Sequence, residues 1–137
     1  MRQVKSFVAG FLSTLVFHQG LLALLFAGGL TTRRPWVMAP TRPMGVPAVL
    51  SLAFFGGLWG ILLWEMVRGR LGAARWVTAL VAGAVAPTLV ALFVVLPLKG
   101  LGVAGGWKPD ILVGALLLNG AWGLGVVALM GLFGASA

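Results

Sequence analysis

Long apolar stretches alternate with short basic segments along this chain. Four such stretches stand out, at Phe7–Leu30, Val46–Val67, Trp76–Leu98 and Ile111–Phe133. Each has roughly the 20 residues that a helix needs to cross the hydrocarbon core of a bilayer. A helix also satisfies its own backbone hydrogen bonds there. The pattern predicts an all-α integral membrane protein, a bundle of four transmembrane helices that forms one domain over residues 1–137.

The second and fourth spans share a local pattern. Phe54–Gly60 parallels Leu117–Gly123, and both segments contain Gly-x-Trp-Gly. Two tandem helical hairpins that arose by duplication explain the match, because they form a parallel repeat. Chance matching in an apolar chain of low complexity explains it as well, and both interpretations stay open.

The connector between the first two spans, residues 31–45, is rich in proline and arginine. Proline opposes helix continuation, so we expect an ordered surface loop. Trp residues favour the membrane interface, which predicts headgroup depth for four of the six: Trp36, Trp64, Trp76 and Trp107. The connector at residues 68–75 is short and basic, and the one at residues 99–109 is rich in glycine.

The composition is that of a protein that lives in lipid. Hydrophobic residues make up 61% of the chain and charged residues only 9%, whereas soluble domains carry about 25% charged residues. The net charge of +8 comes from basic residues in the termini and connectors. This placement indicates contact with anionic lipid headgroups rather than with nucleic acid. The chain has no cysteine, which excludes disulfides and thiolate metal sites.

Four spans place both termini on one side of the membrane. The basic residues do not decide which side, because five lie on each: Arg2, Lys5, Arg68, Arg70 and Arg75 against Arg33, Arg34, Arg42, Lys99 and Lys108. Three of the first group crowd into one short turn, which favours cytoplasmic termini. We therefore expect a bacterial inner (cytoplasmic) membrane protein with its termini inside.

Small residues recur at helical spacing in the spans. Examples are Gly56 and Gly60 in the second span and Ala79 and Gly83 in the third. Such stripes let helices approach closely in lipid, within the bundle, in a homo-oligomer or against a membrane protein partner. Pro87 lies in the middle of the third span, where it predicts a helix kink, and the hydroxyl of Thr88 is placed to support the freed carbonyl.

Polar side chains at mid-membrane depth are the candidate site: His18, Gln19, Asn119, Trp59 and Trp122. Hydrocarbon offers them no hydrogen-bond partner, so we expect them to meet in one central layer. Imidazole and amide groups would accept the buried indole N–H groups. The layer either holds the helices together through interhelical hydrogen bonds or forms a small polar site on a permeation path. In the second case the imidazole could change charge near neutral pH.

A metal or another cofactor is not expected. His18 is the sole histidine, and neither Glu65 nor Asp110 lies at its depth, so any haem would have to borrow Met130 or a second chain. Asp110 follows Pro109 at the start of the fourth span, where a carboxylate complements the helix N-terminus.

Glu65 precedes Arg68 by one turn. Their spacing predicts either a local ion pair at the headgroup boundary or the mouth of a path. No catalytic motif occurs, so we expect a protein that is not an enzyme. The favoured hypothesis is a homo-oligomeric channel or carrier for a small solute, and the alternative is a non-catalytic accessory or scaffold subunit of a larger membrane complex.

Overall fold

The computed structural model describes residues 1–135 and consists mainly of four long helices. They are α1 (Arg2–Ala27), α2 (Ala48–Val67), α3 (Gly72–Leu98) and α4 (Pro109–Leu132). Each is long and apolar enough to cross a membrane, and the described residues contain no β-strand. The predictions of an all-α four-helix bundle and of an integral membrane protein are confirmed.

The first helix begins at Arg2 rather than at Phe7. Its early charged residues belong to the helix because neighbouring helices supply partners for them. Arg2 forms an ion pair with Glu65 at 2.8 Å, and the Lys5 ammonium donates to the carbonyl of Phe133 at 3.1 Å. Both ends of the described chain therefore lie at one end of the bundle, which we call the terminal end. The opposite end is the loop end.

Glycine contacts hold the helices together in pairs. Gly10 of α1 lies against Gly56 and Gly60 of α2, and a Cβ on Gly10 would overlap the carbonyl of Gly56. Gly123 of α4 lies in the same way against Ala79 of α3. These positions let backbones touch, which is how helices associate in lipid. Helices α1 and α4 join the two pairs, while α2 and α3 make few contacts with each other.

Two helices contain a π-helical turn that the hydropathy pattern does not predict. One spans Thr14–His18 in α1, and the other spans Ala91–Val95 in α3. The second begins one turn after Pro87, across which α3 stays helical although proline donates no backbone hydrogen bond. Such turns insert an extra residue and frequently occur at functional sites. A kink at Pro87 stays a prediction.

The connector between α1 and α2 folds back along α1. The Trp36 indole donates to the carbonyl of Leu15 at 2.8 Å, and the Trp36 backbone N–H donates to the side-chain carbonyl of Gln19 at 2.8 Å. At 1.5 Å per residue, Leu15 and Gln19 lie about 15 and 21 Å along the helix from Lys5. The prediction that Trp36 sits at headgroup depth is therefore wrong, because these acceptors hold it against the middle of α1.

The same connector supplies acceptors for the start of α2. The N–H groups of Ala48 and Val49 donate to the carbonyls of Ala39 and Val37, both at 2.9 Å. The first N–H groups of any helix lack intrahelical partners, and in lipid no water replaces them. The connector thus allows α2 to begin below the loop end of α1.

The main cluster of buried apolar residues lies towards the terminal end, and all four helices contribute to it. Its largest members are Trp64, Trp122, Met130 and Leu63. Trp64 is only 1% exposed, with the Arg75 guanidinium 5.2 Å from its ring centre. Trp64 is therefore buried within protein, because it packs in this core and Arg75 lies over its ring, and its depth at the interface stays a prediction.

Candidate functional site

Four of the five predicted polar residues line one small, partly open cavity between the helices. They are His18 of α1, Trp59 of α2, and Asn119 and Trp122 of α4. Pro87 of α3 also lines it, so all four helices contribute. The cavity volume is about 40 Å³, and one water needs at least roughly 10–15 Å³ measured in this way. The space suits a very small solute or a few waters.

The wall formed by α1 and α2 depends on a close fit. Thr14 and His18, the first and last residues of the π turn, both line the cavity, and Gly56 faces them from α2. A Cβ on Gly56 would collide with the Thr14 hydroxyl oxygen, which donates to the carbonyl of Gly10 at 3.0 Å. The missing side chain at Gly56 is what makes room for the threonine.

The hydrogen bonds of Gln19 indicate which ring nitrogen of the neighbouring His18 carries the proton. Its side-chain carbonyl accepts the Trp36 backbone N–H at 2.8 Å, so the amide NH₂ points the other way. That NH₂ lies 3.0 Å from Nδ1 of His18, and an amide nitrogen can only donate. Nδ1 is therefore the acceptor, and His18 is a neutral imidazole with its proton on Nε2. Gln19 itself faces the connector and does not line the cavity.

A pair of hydrogen bonds joins α1 to α4 beside the cavity. The Trp122 indole donates to the carbonyl of Gly10 at 3.1 Å, and the Ser13 hydroxyl donates to the carbonyl of Trp122 at 2.6 Å. The prediction that imidazole or amide groups accept the Trp122 N–H is wrong. A backbone carbonyl accepts it, because Gly10 leaves that carbonyl open to a neighbouring helix.

A second set of bonds joins α3 to α4. The Asn119 amide NH₂ donates to the Thr88 hydroxyl at 2.9 Å, and that hydroxyl donates to the carbonyl of Ala115 at 3.3 Å. Thr88 therefore bridges two helices, and the expectation that it supports the carbonyl freed by Pro87 is wrong. The Asn119 side-chain carbonyl makes no hydrogen bond to residues 1–135.

Some polar groups of the lining residues have no hydrogen-bond partner among residues 1–135 and could bind a solute. Within the described chain, neither Nε2 of His18 nor the Trp59 indole nitrogen has a protein hydrogen-bond partner. Two N–H donors and one amide carbonyl, that of Asn119, thus belong to residues that line the same space. No carboxylate, lysine or arginine lines it, and residues 1–135 contain no group of three or more potential metal ligands. The arrangement suits a small uncharged solute that both donates and accepts hydrogen bonds.

Glu65 and Arg68 lie apart from this cavity, at the terminal end. Their local ion pair is present at 2.7 Å, and the second oxygen of Glu65 pairs with Arg2 at 2.8 Å. The contribution of Arg2 was not predicted, because it comes from a different helix. A role for Glu65 and Arg68 at the mouth of a path stays a prediction.

Sequence reasoning did not assign Thr14, Leu52 and Gly56 to the site, and it placed Gly56 only in a packing stripe. Thr14 precedes His18 by four residues and so shares its helix face, a signal that was present in the sequence. Leu52 carries no such signal, since only the packing of α2 against α1 brings it to the cavity.

No protein-family model, curated protein or solved structure matches this chain. Its function is therefore inferred from the chemistry of the cavity.

Proposed function

We propose that this protein is a non-enzymatic transport protein of the bacterial inner membrane, with cytoplasmic termini, acting as a homo-oligomeric channel or carrier for a small solute. The solute would bind in the cavity lined by His18, Trp59, Asn119 and Trp122. One observation supports the proposal, namely that polar side chains from separate helices, among them His18 and Asn119, line one small cavity near the middle of the spans.

The energetic argument begins with the groups that the protein leaves available. Interhelical hydrogen bonds in membranes contribute about 0.6 kcal/mol each. The donor groups of Trp122 and Thr88 are both used in such bonds, so packing alone explains these two residues. The donors of His18 and Trp59 are different, because they make no bond within residues 1–135. Polar groups kept in the membrane interior commonly mark solute or ion pathways, which supports a binding role for these two.

The size and charge of the cavity narrow the solute class. A volume of about 40 Å³ admits a solute of only a few non-hydrogen atoms. An ion would meet no opposite charge in this lining, and the cost of desolvating an unpaired ion is high. Water, ammonia and formamide are therefore better candidates than ions.

The test measures solute flux through the purified protein in liposomes. Stopped-flow light scattering would report the permeation of water, ammonia, formamide and urea. We expect flux above protein-free liposomes for at least one of these solutes. That flux should fall at least about tenfold in His18→Leu and Asn119→Leu, because each variant removes a polar group that lines the cavity.

A matched pair of threonine variants provides the control. Thr14→Val alters the cavity wall, whereas Thr78→Val makes the same chemical change in an outer groove. We expect reduced flux in the first and unchanged flux in the second. Flux that is unchanged in His18→Leu and Asn119→Leu would remove the transport proposal.

The alternative, an accessory or scaffold subunit of a membrane complex, has its own supporting observation. The open side of the bundle between α2 and α3 carries an apolar groove of about 520 Å³, with Ala82 and Ala86 among its lining. Small residues allow close approach of another transmembrane helix. If this groove holds a partner helix, Ala82→Trp would release a co-purifying membrane protein. Recovery of this chain alone from native membranes in mild detergent counts against the alternative.

A further inference from the structure

A second cavity, of about 460 Å³, opens at the loop end between α1 and α4. Its deeper walls are apolar and include Leu22, Leu25 and Leu118, while Arg33 and Asp110 line its outer part. We call it the loop-end groove. From Asp110 to Leu118 it follows α4 for about 12 Å. The groove therefore combines an apolar interior with a charged mouth, as expected of a binding site for an amphiphilic molecule.

The two charges at the mouth have no ionic partner among the described residues. Glu65, the other acidic residue, pairs with two arginines, whereas Asp110 forms no salt bridge within residues 1–135. Arg33 forms none there either, although it lines the same groove. One cationic and one anionic side chain are thus both available to a ligand that carries both charges.

We propose that the loop-end groove binds a phospholipid whose headgroup joins a phosphate to a primary ammonium, as in phosphatidylethanolamine. The phosphate would bind the Arg33 guanidinium and the Thr31 hydroxyl, and the ammonium would bind the Asp110 carboxylate. One acyl chain lies along Leu22 and Leu118. This inference is independent of the proposed transport function, because the two cavities are separate.

Charge and shape favour this lipid over related ligands. Phosphatidylglycerol offers a phosphate but no cation for Asp110. Phosphatidylcholine offers a cation, but its quaternary nitrogen has no N–H to donate to a carboxylate. Soluble phosphoethanolamine carries both charges yet leaves the apolar walls empty, and burial of a methylene contributes about 0.8 kcal/mol. The acyl chain should therefore be required for tight binding.

The test counts lipids retained by the full chain. The protein would be purified in mild detergent, exposed to equimolar phosphatidylethanolamine, phosphatidylcholine and phosphatidylglycerol, and analysed by native mass spectrometry. We expect preferential retention of phosphatidylethanolamine. Excess soluble phosphoethanolamine should not displace it, which separates a lipid from a free headgroup.

Charge variants test the mouth of the groove. Arg33→Gln should lower retention of phosphatidylethanolamine about three- to fivefold, the scale of a partly exposed ion pair. Arg34→Gln is the matched control, because it removes the same charge at the adjacent position and Arg34 does not line the groove. Asp110→Asn should abolish the preference for phosphatidylethanolamine over phosphatidylcholine while leaving both lipids bound.

A volume variant tests the interior of the groove. A Cβ on Gly114 would meet nothing within 4 Å, and Gly114 lines the groove. A side chain at this position starts in open space, so Gly114→Leu should fill the groove and displace the lipid. Gly131→Leu on the same helix is equally unobstructed and should retain it.

Three outcomes would overturn the proposal. The first is equal retention of all three lipids by the unaltered protein. The second is equal loss in Arg33→Gln and Arg34→Gln, which would indicate only general attraction of lipid to a basic surface. The third is lipid retention by Gly114→Leu that matches retention by Gly131→Leu.

Discussion

Replacing Gly123 by alanine tests whether backbone contact holds α3 against α4. A Cβ at this position would overlap the carbonyl of Ala79 and would lie 3.2 Å from the Cα of Gly83. Both neighbours are backbone atoms, so neither can rotate away as a flexible side chain would. The two helices must separate, and the hydrogen bonds from Asn119 to Thr88 and from Thr88 to the carbonyl of Ala115 would stretch as a result.

The magnitude follows from two opposing effects. Overpacking of a well-fitted contact costs typically 1–3 kcal/mol. Alanine also has a higher helix propensity than glycine, by about 0.8–1 kcal/mol, which partly offsets this cost. Gly131→Ala isolates the propensity effect, because a Cβ there meets nothing within 4 Å. The difference between the two variants is therefore the overpacking cost alone.

The assay is reversible unfolding in mixed micelles at increasing SDS fraction, with helix content and tryptophan fluorescence as probes. We expect Gly131→Ala to be as stable as the unaltered protein or more stable. Gly123→Ala should be less stable than Gly131→Ala by about 1–3 kcal/mol, or roughly 5- to 150-fold in the unfolding equilibrium constant. Equal stability of the two variants would refute the inferred backbone contact.

Three further predictions concern the polar contacts. Gln19→Leu should free the connector and speed hydrogen exchange of the Trp36 amide, while Gln19→Glu, which keeps an acceptor, should protect it; equal exchange in both contradicts the assigned bond. Thr88→Val and Asn119→Leu should show a coupling free energy of about 0.6 kcal/mol, and at most about 1.7 kcal/mol, in a double-mutant cycle, whereas additivity argues against the bridge. Glu65→Gln should lower the stability only slightly and lose its effect at high salt, because the ion pair is exposed to solvent; an effect that does not change with salt would mean that the pair is shielded from solvent.

That several polar residues lie at similar heights along their spans was readable from the sequence, but their hydrogen bonding was not. Position along a span indicates depth, since each helical residue rises 1.5 Å, and four of the predicted residues line one cavity. Which atom accepts each N–H depends on the rotation and separation of neighbouring helices. The Trp122 indole bonds to Gly10 rather than to an imidazole or amide, because two helices happen to approach closely at a glycine.

The sequence alone determined that the chain forms four membrane-spanning helices. That outcome depends on local apolar length and on backbone hydrogen bonds made within each segment, and both are visible in one stretch at a time. Tertiary structure decided the π turn at Thr14–His18, the return of Trp36 to the middle of α1 and the pairing of Arg2 with Glu65. Each of these joins residues that are distant in sequence or depends on crowding between helices. The hydropathy of a single segment holds no information about such contacts.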